Sequence, residues 1–425
     1  MGIRLSAPGL VCCAGGGRED FFRAALRGDS GGIVPVVISG ERRFLVGRVK
    51  GFDDPGGGAA FPRGFDGRIY RIAAAALEQI RSEIGQAVAD FGAERVGVCA
   101  GSCDNGSELS LPAHRAYFSD GAFPGGYELR FQSAALVADF TAELFGLKGP
   151  CLTAATACAS SAGALARGAE LIRAGLCDAV VAGGADIVSE TVLLGFSALE
   201  AVSDTLCNPF SRNRRGITLG EGAAFFVMRR GDAPAGTGEP RIELLGCGES
   251  ADAYHMTAPR PDGSGAAAAM TGALLDAGIK PAQVDYVNLH GTGTKLNDGM
   301  EALAVEAVFG GASPPVSSTK PVTGHTLGAA GALELSLCWM AIAASPAAGQ
   351  DGAAPPVSRG ALPRHCWDGE YDGEMPALRF AGSRGAAESG GPENPRRPIN
   401  VCMSNSFAFG GCNTCLVIGR GVGNV

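Results

Sequence analysis

An apolar strand that stops at glycine, followed by a turn of small residues and a long apolar helix, occurs twice in this chain. In the first copy RVGVCAG (95–101) is the strand and CASSAGAL (158–165) opens the helix. In the second, VDYVNLHG (284–291) and HTLGAAGAL (325–333) take those places. Further helix-period and strand-period segments alternate around them, a pattern that closes into an α/β fold. RIAAAALEQIRSEIGQAV (71–88) and GAAAAMTGALLDAGI (265–279) read as helices, and DAVVAGGAD (178–186) as a buried strand. Behind Cys158, Ala162, Leu165, Ala169, Ile172 and Leu176 recur at three- and four-residue steps, with Gly175 marking the helix end. The expected organisation is two related α/β halves, 1–240 and 241–425, whose matching helix starts meet at one central site.

Composition narrows the function classes. Hydrophobic residues make up 46% of the 425 and charged residues 18%, enough to bury a large core. A formal net charge of −8 speaks against a general nucleic-acid binder. Fourteen cysteines in so long a chain do not resemble the disulfide frameworks of short secreted domains. No charged segment followed by an apolar run opens the chain, so no signal peptide is expected. The most apolar stretch, Leu333 to Ala344, is too short to span a bilayer, and a cytoplasmic setting is expected. MGIRLS fits a loose myristoylation pattern but reads better as the start of the first strand. Cys412-Asn-Thr-Cys415 runs into the strand-like LVIG and lacks a second pair, so it is discounted as a metal or redox motif. Residues 104–130 read as a loop-rich insertion, and the Gly-, Pro- and Ala-rich 345–397 as surface loop.

Candidate chemistry gathers at the helix starts. Unpaired amides and the helix dipole favour a thiolate there, and Cys158 is followed by small residues that leave access open. A free cysteine is more often a structural filler, so position alone leaves both readings open. Of only five histidines, His290 enters the glycine–threonine loop GTGT, and His325 opens the helix matching that of Cys158. Lys320 precedes His325 by five residues, and Glu301 follows His290 by eleven. Taken alone, that Lys and Glu read as an ordinary exposed pair.

TACASSAGAL, HGTGTKLND, SSTKPVTGHTLGAAGALE and SNSFAFGG together resemble the β-ketoacyl-[acyl-carrier-protein] synthases, condensing enzymes of the thiolase fold. DAYHMTAPRPDG (252–263) and GITLGEGAA (216–224) fit the same family, in the same order. The resemblance implies an αβαβα layering of the two halves, the first carrying the nucleophile and the second both histidines. It implies Cys158 as the acyl-accepting nucleophile, with His290 and His325 assisting malonyl decarboxylation and holding the thioester carbonyl. Lys320 would orient and tune His325, with Glu301 beside it. Phe409 would gate the acyl channel, and its amide with that of Cys158 would form the oxyanion hole. Thr292 and Thr294 would contact the phosphopantetheine arm.

A decarboxylative condensation between two thioesters follows, with acyl carrier protein as partner and malonyl and acyl thioesters as substrates. The implied assembly is a homodimer, or a heterodimer with a related ketosynthase subunit. No metal, cofactor, nucleic acid or membrane span is implied. The chain departs from the family pattern at Ser211 and Arg215, where many members carry aspartates. It departs again at Ala408, usually glycine, and at Cys412, usually threonine. LCNPFSRNRRGITLGEGAA (206–224) resembles the branch that extends aryl-primed polyenes. Arg212, Arg214 and Arg215 form the best basic patch, either a carrier-protein docking face or a set of internal salt bridges. Two other readings compete: a coenzyme A-dependent thiolase using a second cysteine among Cys402, Cys412 and Cys415, and a non-catalytic partner subunit resembling a chain-length factor.

Overall fold

The computed structural model describes residues 2–38, 42–53, 61–62, 64–104, 106–231, 240–345, 361–382 and 398–421. The first half runs β1 (Ile3–Leu5), β2 (Gly9–Cys12), α1 (Arg18–Arg27), β3 (Ile33–Ile38), β4 (Arg42–Gly47), α2 (Arg68–Glu78) and α3 (Arg81–Phe91). It continues β5 (Val96–Gly101), α4 (Ser107–Asp120), α5 (Leu136–Phe145), β6 (Cys151–Ala154), α6 (Ser160–Arg173), β7 (Ala179–Asp186), α7 (Glu190–Ala198), β8 (Leu219–Gly220) and β9 (Gly222–Arg230). The second half runs β10 (Ile242–Ala251), α8 (Ser264–Ala277), β11 (Tyr286–Asn288), α9 (Lys295–Phe309) and β12 (Val316–Ser317). It ends with α10 (Lys320–Thr323), α11 (Ala330–Ala344), β13 (Val401–Phe407) and β14 (Cys412–Arg420).

The strand order of the large sheet is β12-β11-β13-β14-β10-β1-β9-β7-β5-β6, with β2 joining β9. Inward from either end the pattern is the same. A strand parallel to both its neighbours (β5 or β11) comes second, and two antiparallel pairings follow. The halves meet where β1 pairs antiparallel with β10. β5 and β7 are buried along their whole length, as parallel strands with helices on both faces must be. Helices α6 and α11 pack against each other and against the sheet halves, with α2, α3 and α5 on the far side of one half and α8 and α9 on that of the other. This is the expected layered α/β arrangement.

The two central helices begin alike. A 3-10 turn, Ala157–Ala159 or Leu327–Ala329, leads straight into α6 or α11. Each turn opens on a residue forced into the left-handed region, Ala157 at φ 49° and Leu327 at φ 50°. Such strain in residues with a β-carbon persists only where the surroundings dictate it. The helices cross at Gly331, where a β-carbon would meet the Cβ of Ala162 at 2.8 Å.

Several expectations are corrected. The stretch 71–88 divides into α2 and α3 around Gln79 and Ile80. α6 ends at Arg173, and Leu176 lies beyond it, exposed to 55%. Residues 104–130 contain a fourteen-residue helix, α4, whose Pro112 and weak periodicity hid it. The apolar stretch at Leu333 is part of a helical run from Leu327 to Ala344, 18 residues long with mean hydropathy 1.6. It is long enough to cross a membrane, yet 89% of it is buried within the protein, which makes it a core helix. Of 345–397, residues 346–360 and 383–397 lie outside the described residues. The remaining 361–382 pack as an ordered strap, with His365 buried.

Candidate active site

Cys158 in the first of the two matching turns, His325 just before the second and His290 just past β11 come together, one ligand-capable atom of each lying within 4.8 Å of the others. His325 Nε2 stands 3.0 Å from Cys158 Sγ, and the His290 ring meets that of His325 edge-on at 5.2 Å. All three are buried.

Burial dominates the electrostatics. It pushes the Cys158 thiol up to about 11, opposed by the Lys320 ammonium and by the amides of Phe409 and of Cys158 itself. The helix start therefore does not make a resting thiolate, contrary to the expectation from position. His290 and His325 are both held well below the ordinary histidine value, by burial first and by Lys320 second. The resting site is a thiol beside two neutral imidazoles, and His325 is the base within reach of it. The Phe409 and Cys158 amides are the two that the family resemblance names as oxyanion donors.

Lys320 is buried and corrects one sequence expectation. Its ammonium is paired with Glu334 and donates to the His290 carbonyl, while Glu301 does not touch it. Glu301 instead accepts the amides of His290 at 2.8 Å and Gly291 at 2.7 Å, and the Asn405 side-chain amide at 3.1 Å. It fixes the turn that aims His290. Burial raises both carboxyls to about 7, with Lys320 opposing at Glu334 and the backbone amides at Glu301. Neither the lysine nor the glutamate is the exposed surface residue that a bland reading allows.

A cavity of about 550 Å³ leads towards the site, lined by Arg215, Thr257, Thr294, Lys295, Phe409 and Asn413 among others. Phe407 to Phe409 form its inner end, and Cys158 packs behind them against Ala408. Thr294 lines the passage and caps α9 by accepting from the Asn297 amide at 3.4 Å. Thr292 is buried 3.0 Å behind it, hydroxyl to hydroxyl. Ala408 causes no backbone strain. The left-handed positions of this turn fall on Gly410 and Gly411, so the β-carbon replaces glycine where it fits.

Phe409 lines the cavity, its amide faces the Cys158 sulfur, and its ring rests 5.8 Å from that of Phe196. Phe409→Ala is expected to speed modification of Cys158 by N-ethylmaleimide on the order of tenfold, the factor given by about 1.4 kcal/mol of relieved barrier. Mass spectrometry of the Cys158 peptide over time checks this.

The basic patch divides. Arg214 is internal, paired with Asp372 at 2.6 Å and donating to the carbonyls of Ser211 and Lys295. Arg212 pairs with Glu370, and Arg215, 70% exposed and 3.9 Å from Asp204, lines the cavity. The cysteines Cys412 and Cys415 lie on β14, where positions three apart face opposite sides of the sheet. Cys412 packs beside Cys158, and Cys415 is buried within 3.3 Å of Asn405.

Glu334, Asn405 and His365 were not singled out from the sequence. Glu334 carried a signal, as the one charge in an otherwise apolar helix, since a buried charge demands a partner. Asn405 lies in the SNSFAFGG motif.

Comparison with known proteins agrees with this geometry. Residues 67–233 match the model of the β-ketoacyl synthase N-terminal domain and 242–349 that of the C-terminal domain. Nodulation protein E of Rhizobium sp. (strain N33) is 34% identical over 82% of this chain and 81% of its own length. The 3-oxoacyl-[acyl-carrier-protein] synthase 2 of Coxiella burnetii is 31% identical over 98% of both chains. Among solved structures, the ketosynthase ApeO in complex with its chain length factor ApeC from Xenorhabdus doucetiae matches with TM-score 0.81. The identity there is 36%, covering 99% of this chain and 98% of that one. The chain belongs to the β-ketoacyl synthase family.

Proposed function

We propose that the protein catalyses decarboxylative Claisen condensation of a Cys158-bound acyl group with malonyl-acyl carrier protein. The observation that carries this reading is the buried trio of Cys158, His290 and His325 behind a gated passage. In the first stage His325 takes the Cys158 proton as sulfur attacks the acyl thioester, and the proton leaves on the carrier's pantetheine thiol. In the second stage the malonyl carboxylate departs as carbon dioxide, and its electron pair forms an enolate held by the two neutral histidines. The enolate carbon attacks the Cys158 thioester, the amides of Cys158 and Phe409 hold the oxyanion, and the thiolate leaves. The product is a β-ketoacyl carrier protein two carbons longer.

Electron flow in this scheme needs no metal and no redox cofactor. Residues 1–240 would supply the nucleophile and 241–425 both histidines. The partners are acyl carrier protein, reached past Arg215, and a second ketosynthase-like chain. ApeO, solved with its chain length factor at 36% identity to this chain, supports a heterodimeric partner. That likeness and the segment 206–224 favour the polyene branch over primary fatty-acid synthesis. Fourteen free cysteines fit a reducing cytoplasm.

Incubation with a panel of acyl-carrier-protein thioesters is expected to add one acyl mass on the Cys158 peptide. Cys412→Thr is expected to load and condense within about twofold of the native rate, since the near-isosteric hydroxyl fits the partly buried place beside Cys158 and the change removes no catalytic donor. An adduct on Cys412, or loss of turnover in Cys412→Thr, would favour the thiolase reading. No adduct with any primer would favour the non-catalytic subunit.

A further inference from the structure

Lys320 acts on all three reacting side chains, so whatever fixes its loop bears on the chemistry. That loop is Ser317–Lys320, at the end of β12, and β12 is the terminal strand of the large sheet. The strap 361–382 covers the outer edge of β12. The Ala381 amide donates to the Val316 carbonyl at 2.9 Å, and the Val316 amide to the Arg379 carbonyl at 2.8 Å. His365 reaches inward from this strap. Its Nδ1 accepts the Ser318 backbone amide at 3.1 Å. The Ser318 hydroxyl in turn donates to the Gly291 carbonyl at 2.6 Å and accepts the Lys320 amide at 3.4 Å. The relay therefore ends on the residue beside His290 and on Lys320 itself.

The surroundings leave His365 one arrangement. Its ring stacks on Phe380 at 4.0 Å and 12°, with Trp367 at 5.4 Å and Phe210 at 6.0 Å. Burial lowers its pKa to about 3, so it is neutral at any working pH. Because a backbone amide can only donate, Nδ1 must be the acceptor, and the proton of the neutral ring sits on Nε2. A stacked, neutral imidazole with a fixed tautomer is a rigid prop that offers one acceptor to one amide.

We propose that His365 is a positioning residue for the condensing site, holding the Ser318–Lys320 loop and the His290–Gly291 turn in register through Ser318. It touches no substrate and acts through Lys320. This extends the proposed reaction and rests on it, but its first test does not use acyl substrate.

The test is the pH dependence of Cys158 alkylation by iodoacetamide. Cys158 is faced by the Lys320 ammonium, by Asp186, whose carboxyl burial raises to about 7, by the Cys103 thiol, which burial pushes well up, and by the neutral His290 and His325. His365→Phe keeps the stack on Phe380 and removes the acceptor. With Lys320 loosened, Cys158 loses its main favourable charge, and alkylation at pH 8 is expected to slow roughly tenfold, one pKa unit upward. His365→Asn, whose side-chain oxygen replaces Nδ1, is expected to return the rate to near the native value. In turnover assays His365→Phe is expected to lower kcat with the KM for carrier protein unchanged.

A folded His365→Phe protein with the native alkylation profile would overturn the proposal, as would failure of His365→Asn to rescue. Should His365→Phe not fold, Ser318→Ala cuts the same relay one bond further on and is expected to slow alkylation in the same direction. Unchanged alkylation there would overturn the proposal equally. If the alkylation result holds and native protein takes up no acyl group, the positioning role stands and the condensing reaction falls.

Discussion

Cys158→Ala is expected to abolish acyl loading and condensation, by on the order of 10⁴- to 10⁶-fold as when other enzymes lose their nucleophile. Decarboxylation of malonyl-acyl carrier protein should survive. The enolate forms when the carboxylate leaves, and its stabilisation calls on the two histidines rather than on sulfur. His325 loses only a 3.0 Å thiol neighbour in this variant, and both imidazoles stay neutral because Lys320 and burial remain. The measurement is paired: carbon dioxide release from malonyl-carrier protein, and chain elongation with a loaded primer. Elongation without Cys158 would remove the covalent scheme. Loss of both activities in a folded variant would place the thiol in decarboxylation as well.

The second large effect concerns the buried pair of Lys320 and Glu334. Removing one partner of a buried ion pair leaves an uncompensated charge and typically costs about 3–5 kcal/mol, whereas replacing both by apolar residues is often neutral. Glu334→Leu alone is therefore expected to unfold at markedly lower denaturant. Lys320→Met combined with Glu334→Leu should recover most of that stability, since α11 is apolar all round at this depth. Activity should not recover with it. The double variant restores packing, and burial still holds both histidines low, but the ammonium that opposes the burial penalty on the Cys158 thiol is gone. Chemical unfolding and turnover of the two single variants and the double variant form the cycle. Recovery of both properties together would make the pair purely structural.

What the chain revealed in advance follows from physics that is local in sequence. The strand–glycine and turn–helix patterns around Cys158, His290 and His325 were legible because each depends on residues within one turn of the other. Small residues are needed where α6 and α11 cross, glycines where strands end. Glu334 was overlooked because helical periodicity treats it as an exception to an apolar helix, although such an exception implies a buried partner. Its partner, Lys320, lies 14 residues away. Glu301 enters through the family resemblance, which sets it beside Lys320; the helix instead turns its carboxylate to the His290 and Gly291 amides, a direction that distance along the chain does not carry. The strap 361–382 had no signature at all. Its order comes from pairing with the edge of β12 and from aromatic stacking, both non-local. α4 escaped because its interior proline and half-exposed faces blur the period that marks a helix.

The strand order has a consequence for how the molecule can grow. Both ends of a palindromic sheet would ordinarily be equal invitations to pair with another chain. Here they are not: the strap closes the β12 end, as Val316 bridges Phe380, while β6 at the other end pairs with no strand beyond β5 among the described residues and leaves Leu152 40% exposed. A sheet with one open margin can be continued once. When two such margins meet about a twofold axis, each seals the other and the large sheet keeps no open margin. Extension of the large sheet through β6 about a twofold axis is thus self-terminating at two.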